Sequence, residues 1–139
     1  MAVNTQFSIA VHMLAGLGFR DDRNTTSGEL AASVNTSPSF VRRTLAKLSK
    51  AGLVETATGK AGSCWLAKKP DRISLLDIYE AVAAPKAFSI HSYPVQKRCP
   101  VSCNIKGALE KVLSKSQNAL EASLNETSLA DIVSEIRRH

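Results

Sequence analysis

At 139 residues, 44% of them hydrophobic and 22% charged, the chain has room for one domain with a real core and an appendage, which excludes a multidomain enzyme. Its formal net charge of +6 points towards a polyanionic partner, though modest basicity alone is a weak argument. Distribution sharpens it: between Phe40 and Arg72 eight basic residues stand against Glu55 and Asp71 alone, so the excess sits in one block. The longest apolar run, Phe7 to Phe19, holds Ser8 and His12 and is too short to span a bilayer, so no membrane contact and a cytoplasmic location are expected. Three cysteines, an odd number, argue against a secreted disulfide framework and leave room for redox or metal chemistry.

In chain order, Thr5 to Leu17 carries Phe7, Ile9, Ala10, Met13, Leu14 and Leu17 at helical spacing and is expected to pack across the next two helices as their third wall. His12 within it is read as a core-edge or solvated residue. Asp21 to Asn24 is a polar loop. Thr26 with Glu29 three residues on reads as a capping box, so a helix starts at Ser27 and buries Leu30, Ala31 and Val34. Asn35 and Thr36 make the turn, Ser37 is an N-cap and Pro38 a good first helical residue, because the N–H that proline lacks has no partner in a first turn. The helix from Pro38 to about Ala51 turns Val41, Leu45 and Leu48 inward and Arg42, Arg43, Lys47 and Lys50 outward, and Gly52 ends it. Leu53 to Thr58 and Ser63 to Leu66 are β-capable, with Gly59 to Gly62 as the turn. In this ribbon Cys64 is read as structural, and Trp65 as an anchor to the core rather than a stacking platform.

Helix, turn, basic helix and ribbon in succession are the grammar of a winged helix-turn-helix, which offers a cationic helix to a major groove. Arginine suits guanine edges, whereas Lys47, Lys50 and Lys60 suit phosphates. After the ribbon, Lys68 to Arg72 breaks the chain, and Ser74 with Asp77 caps a short helix. Residues 84–98 show no period. A helix of about six turns runs from Asn104 to Asn125, and its stripe, including Ile105, Leu109, Val112, Leu120 and Leu124, is too long for so small a domain to cover. A second copy of the helix is the expected cover, and folding back on its own domain the alternative. Ser128 to Ile136 ends the chain as an amphipathic helix. The expected fold is mostly α with a small two-stranded β wing. Its divisions are a winged helix-turn-helix domain over 1–83, a regulatory loop over 84–103, and dimerisation and C-terminal helices over 104–139.

The runs SPSFVRRTLAKLSKAGLVETATGKAG, ISLLDIYEAV, CPVSCNIKGAL and TSLADIVSEI together resemble the Rrf-two (Rrf2) family of bacterial winged-helix transcriptional regulators. Each alone is weak; in combination they span nearly the whole chain. The resemblance implies a dimer on a pseudo-palindromic site in double-stranded DNA, acting as a repressor. It implies Ser37, Ser39 and Phe40 near phosphates and Arg42 and Arg43 at base-reading positions. Where the family's wing often carries a minor-groove arginine, this chain has Thr58, with Lys60 two residues on.

Cluster-binding members of the family carry three cysteines in the loop before the long helix. Here only Cys99 and Cys103 lie there, Lys106 occupies the place of a histidine ligand, and Cys64 belongs to the ribbon. The ligand set of an iron–sulfur cluster is therefore incomplete, unless His91 and the other subunit complete it; zinc, which needs four good ligands, fits still less well. A redox role is the simpler reading: Cys103 near a helix start and Cys99 behind Lys97 and Arg98 sit where the thiolate is favoured. The competing reading of the chain is a winged-helix protein–protein interaction module. No enzyme is expected, since His12, His91 and His139 are scattered and no nucleophile has a base beside it.

Overall fold

A computed structural model describes residues 4–57 and 62–139; Thr58 and Lys60, the two wing residues singled out above, lie outside them. The elements in order are α1 (Gln6–Arg20), β1 (Thr25–Thr26), α2 (Ser27–Val34), α3 (Pro38–Lys50), β2 (Val54–Thr56), β3 (Ser63–Leu66), a 3₁₀ turn (Pro70–Arg72), α4 (Leu75–Ala81), α5 (Pro100–Asn125) and α6 (Leu129–Arg137). The fold is mostly helical with a small antiparallel sheet, as the sequence predicts. None of the described helices is long and apolar enough to cross a membrane.

The chain forms two compact units, residues 1–84 with 124–139, and residues 85–123. In the first, capping chemistry sets each helix start. Thr26 Oγ1 accepts from the Glu29 amide at 3.1 Å, Ser37 Oγ from the Phe40 amide at 3.2 Å, and Ser74 and Ser128 form reciprocal boxes with Asp77 and Asp131. The helix ends are as local. Asn35 closes α2 in the left-handed conformation at φ 67°, and Gly52 follows α3 at φ 80°, a conformation that costs glycine nothing.

The wing's two strands are joined by a third. Thr25 and Thr26 pair with Cys64 and Ser63, giving the strand order β1-β3-β2. The β2–β3 register sets Val54 opposite Leu66 and Glu55 opposite Trp65. Alternation sends Val54 and Cys64 into the core, buried to 2% and 0% exposure, and Glu55 and Trp65 to the other face. Trp65 is therefore not an anchor into the core: it is half-buried on the outer face of the sheet, its Nε1 donating to Glu55 at 2.9 Å and the Arg23 guanidinium covering its ring at 5.2 Å.

The core is built from Met13, Leu14 and Leu17 of α1, Leu30 and Ala31 of α2, Val41, Leu45 and Leu48 of α3, the sheet, Ile78 of α4 and, from the far end of the chain, Leu129 and Val133 of α6. The boundary at residue 104, which groups the last helix with the long one, does not match these contacts. The amides of Leu75 and Leu129 bond the carbonyls of Thr127 and Ile73 at 2.9 and 2.8 Å, stitching the chain's end to the start of α4. Leu129 is fully buried, so Leu129→Ala is expected to cost about 2–5 kcal/mol of unfolding free energy in a denaturant titration. A loss below about 0.5 kcal/mol, the level of a surface change, would show that α6 is not part of this core.

In the second unit, α5 begins at Pro100 rather than at Asn104, because Pro100 serves as a first-turn residue and the Cys99 carbonyl accepts the Cys103 amide at 3.0 Å. Residues 84–96 precede it with no helix or strand. Ala87 N–H donates to Gln117 Oε1 at 3.0 Å, holding that segment to the helix.

Candidate nucleic-acid interface and thiol loop

The hydrophobic face of α3 fixes its polar face by exclusion. With Val41, Thr44, Leu45 and Leu48 buried, the side chains of Ser37, Ser39, Arg42, Arg43, Lys47 and Lys50 are all exposed. Thr44 belongs inside because its hydroxyl returns to the Phe40 carbonyl at 3.0 Å. Phe40 is half-buried, and the Arg43 guanidinium lies 5.8 Å from its ring centroid, a cation–π contact that limits where the arginine can point. Ser37 Oγ caps the helix and lies 3.4 Å from Ser39 Oγ, so the hydroxyl pair marks the helix start, where amide groups face outward.

The basic block does not form one surface. Lys47 reaches back to Gln6 of α1, Nζ to Oε1 at 3.3 Å. Lys68 and Lys69 line a separate hollow with Asp21, Asp22 and Arg23, where the backbone Asn24 amide and the Thr25 hydroxyl hold the Asp22 carboxyl below its usual range. What remains beside α3 is a notch of about 560 Å³ that includes Arg42, Ser49 and Lys50 of the helix, Thr56 of β2 and Ser27 of α2. Ser27, Ser49 and Thr56 escaped sequence reasoning. The period-2 alternation that puts Thr56 on the face opposite Glu55 was the signal available for one of them.

The three thiols divide by environment. Cys64 is fully buried, its Sγ 3.4 Å from the Thr25 carbonyl, and burial with the nearby Glu29 charge pushes its thiol up to about 11. At neutral pH it is an inert packing group, as the sequence indicates. Cys99 and Cys103 are free and exposed. Cys99 Sγ accepts from the Ser102 amide at 3.4 Å, while Cys103 Sγ lies 3.7 and 3.6 Å from the carbonyls of Gln96 and Lys97. Lys106 Nζ donates to the Tyr93 carbonyl at 2.8 Å, so the position of a histidine ligand carries a cation tied to the loop. Among the described residues no three His, Cys, Asp or Glu side chains gather within reach of one metal ion. Two thiols and a lysine do not fit the donor set of an iron–sulfur cluster.

The residues named for dimerisation lie on α5. Val112 is 59% exposed, and Ile105, Leu109, Leu120 and Leu124 are half-buried. Val101, one turn before Ile105, is 68% exposed.

Comparison with known proteins accounts for this arrangement. The family model described as Rrf2, iron-dependent transcriptional regulator, matches residues 3–135. YwnA of Bacillus subtilis (strain 168), which carries the name of an HTH-type transcriptional regulator, is 36% identical over 135 residues, covering 96% of this chain and 98% of YwnA. A crystal structure described as that of a DNA-binding protein is 35% identical, with a TM-score of 0.73, over 91% of this chain and 97% of that one. A transcriptional-regulator structure from Lactobacillus plantarum superposes with a TM-score of 0.83 at 25% identity, over 97% of this chain and 91% of its own. The chain belongs to the Rrf2 family, winged-helix transcriptional regulators that bind DNA and are not enzymes.

Proposed function

We propose that this regulator works as a homodimer that recognises a pseudo-palindromic site in double-stranded DNA, represses from it, and responds to oxidation of Cys99 and Cys103. The observation that carries the reading is the outer face of α3, where four cations stand exposed on a helix whose other side is locked into the core. Arg42 and Arg43, in its first two turns, take base edges; Lys47 and Lys50, further along, take phosphates. Ser37, Ser39 and Phe40 lie against the backbone at the helix start, and Thr58 and Lys60 are assigned to phosphate contact.

The apolar stripe of α5, exposed at Val101 and Val112, is the seam of the dimer. Two copies then present two reading helices to half-sites about one helical turn apart. A dimer seated across a promoter excludes polymerase, which makes repression the output of occupancy.

Cys103 supports the switch, because its sulfur packs against the carbonyls of the turn that leads into α5. A peroxide takes two electrons and two protons from the Cys99 and Cys103 thiols, giving one disulfide and two hydroxyl products from the broken O–O bond. Oxidation of a single thiol leaves a sulfenic acid instead. Either product removes the thiol from those carbonyls and rearranges the start of the helix.

Selection from a random duplex pool by the full-length reduced protein tests the whole reading. A two-fold repeat is expected, with affinity that falls steeply between about 50 and 200 mM salt and weakens after peroxide in wild type but not in Cys99→Ser/Cys103→Ser. Absence of duplex binding at about 50 mM salt would favour a protein-interaction module. Unchanged affinity after peroxide would remove the thiol switch alone.

A further inference from the structure

Resting on the DNA-binding reading, we propose that the notch between α3 and the wing is a dedicated seat for one sugar-phosphate of the operator, with Ser49 and Thr56 as phosphate donors. The notch is amphiphilic in the way a deoxyribose-phosphate is. Its floor is apolar, with Leu45 buried to 5% exposure and Ala46 and Ala57 beside it; Arg42 and Lys50 bring two positive charges, and Ser49 and Thr56 bring hydroxyls.

Its charge is uncompensated because the neighbouring acids are committed elsewhere. Glu55, adjacent to Thr56, lies on the opposite face of the sheet and accepts from Trp65 Nε1 at 2.9 Å. Glu29, two residues after Ser27, is paired with Arg20, which holds its carboxyl below the usual range and keeps it ionised towards that partner. Among the described residues no Asp or Glu lines the notch. Two cations, hydroxyl donors and no acid above an apolar floor favour a phosphodiester over a carboxylate ligand, since the sugar as well as the charge finds a matching surface.

The position suits the duplex. With α3 in a major groove and the wing beside it, the strand that separates the two grooves runs past the cleft between them. A phosphate held there fixes how deeply α3 sits and carries no sequence information of its own.

The test uses the full-length protein and the duplex it selects, with single phosphates replaced by neutral methylphosphonates. One position per half-site is expected to weaken wild type by about tenfold, against the approximately unit change in salt slope that one phosphate contact gives. The same replacement should have no further effect in Ser49→Ala/Lys50→Ala/Thr56→Val. That variant should lose affinity for all duplexes by one common factor with its preference intact, and Lys50→Arg should retain binding. All three positions are exposed, and an unchanged thermal unfolding midpoint is expected to confirm the fold. If the triple variant binds with wild-type affinity and salt slope, the notch holds no phosphate while the DNA-binding reading stands. If it loses preference rather than affinity, the notch reads bases and the proposal is overturned. If wild type enriches no duplex, the reading beneath it falls as well.

Discussion

Replacing Arg42 and Arg43 together by alanine is expected to abolish preference for the selected site while leaving weaker, salt-sensitive binding. A well-placed arginine contributes about 1–3 kcal/mol of discrimination between bases, so two remove between roughly thirtyfold and twenty-thousandfold of specificity. The residual affinity comes from Lys47 and Lys50 through counterion release, which any sequence satisfies. Both arginines are exposed, and neither contributes to the core, so the fold should be unchanged within about 0.5 kcal/mol. The two are not equivalent. Arg43 is steered by the Phe40 ring, so Phe40→Ala should lower the preference that Arg43 contributes without removing a charge. Competition between the selected duplex and a scrambled one, at fixed salt, measures both effects. A double variant that kept full preference would show that α3 is not the reading helix.

The parts of this interface that sequence made legible are those whose causes are local. Thr26, Ser37, Pro38 and Gly52 mark the ends of α2 and α3 because a cap needs only its own side chain and an amide three residues away. Arg42 and Arg43 could be placed outside because Val41, Leu45 and Leu48 had to be inside. What was not legible depends on pairing across the chain. Thr25 and Thr26 become a strand only because Cys64 and Ser63, far along the sequence, present a free edge to them. The face of Trp65 is set by the register with Val54 and Glu55, since a shift of one residue would have turned it inward. The docking of α6 had the same limit: its apolar stripe could be read, but the stripe does not say that α1 and the start of α4 would receive it. The notch is the functional cost of that limit. Its helix contributed recognised cations, but Ser49 and Thr56 acquire meaning only once β2 stands beside α3.

Changing Val112 to aspartate is expected to convert the protein into a folded monomer and to lower its affinity for the full site by about a hundredfold to ten-thousandfold, the range that linking two binding heads supplies. At 59% exposure, Val112 contributes little to a single chain, so its replacement should leave helicity intact. In a dimer seam the carboxylate would instead be drawn from water into apolar surroundings, a cost that is several kcal/mol unless the group is paired. Wild-type unfolding should become more resistant as protein concentration rises, because association stabilises the folded state by mass action, and the variant should lose that dependence. Light scattering gives the mass, and titration of full and half sites gives the affinities. The half site is the decisive arm: it should bind variant and wild type alike, since one reading head is enough for it. A variant that lost half-site binding too would have been damaged in the head. One that remained a dimer would show that the seam lies away from Val112. Arg42→Ala/Arg43→Ala fails in the opposite sense, keeping its mass and losing its preference, so the two variants together separate the assembly of this regulator from its reading of DNA.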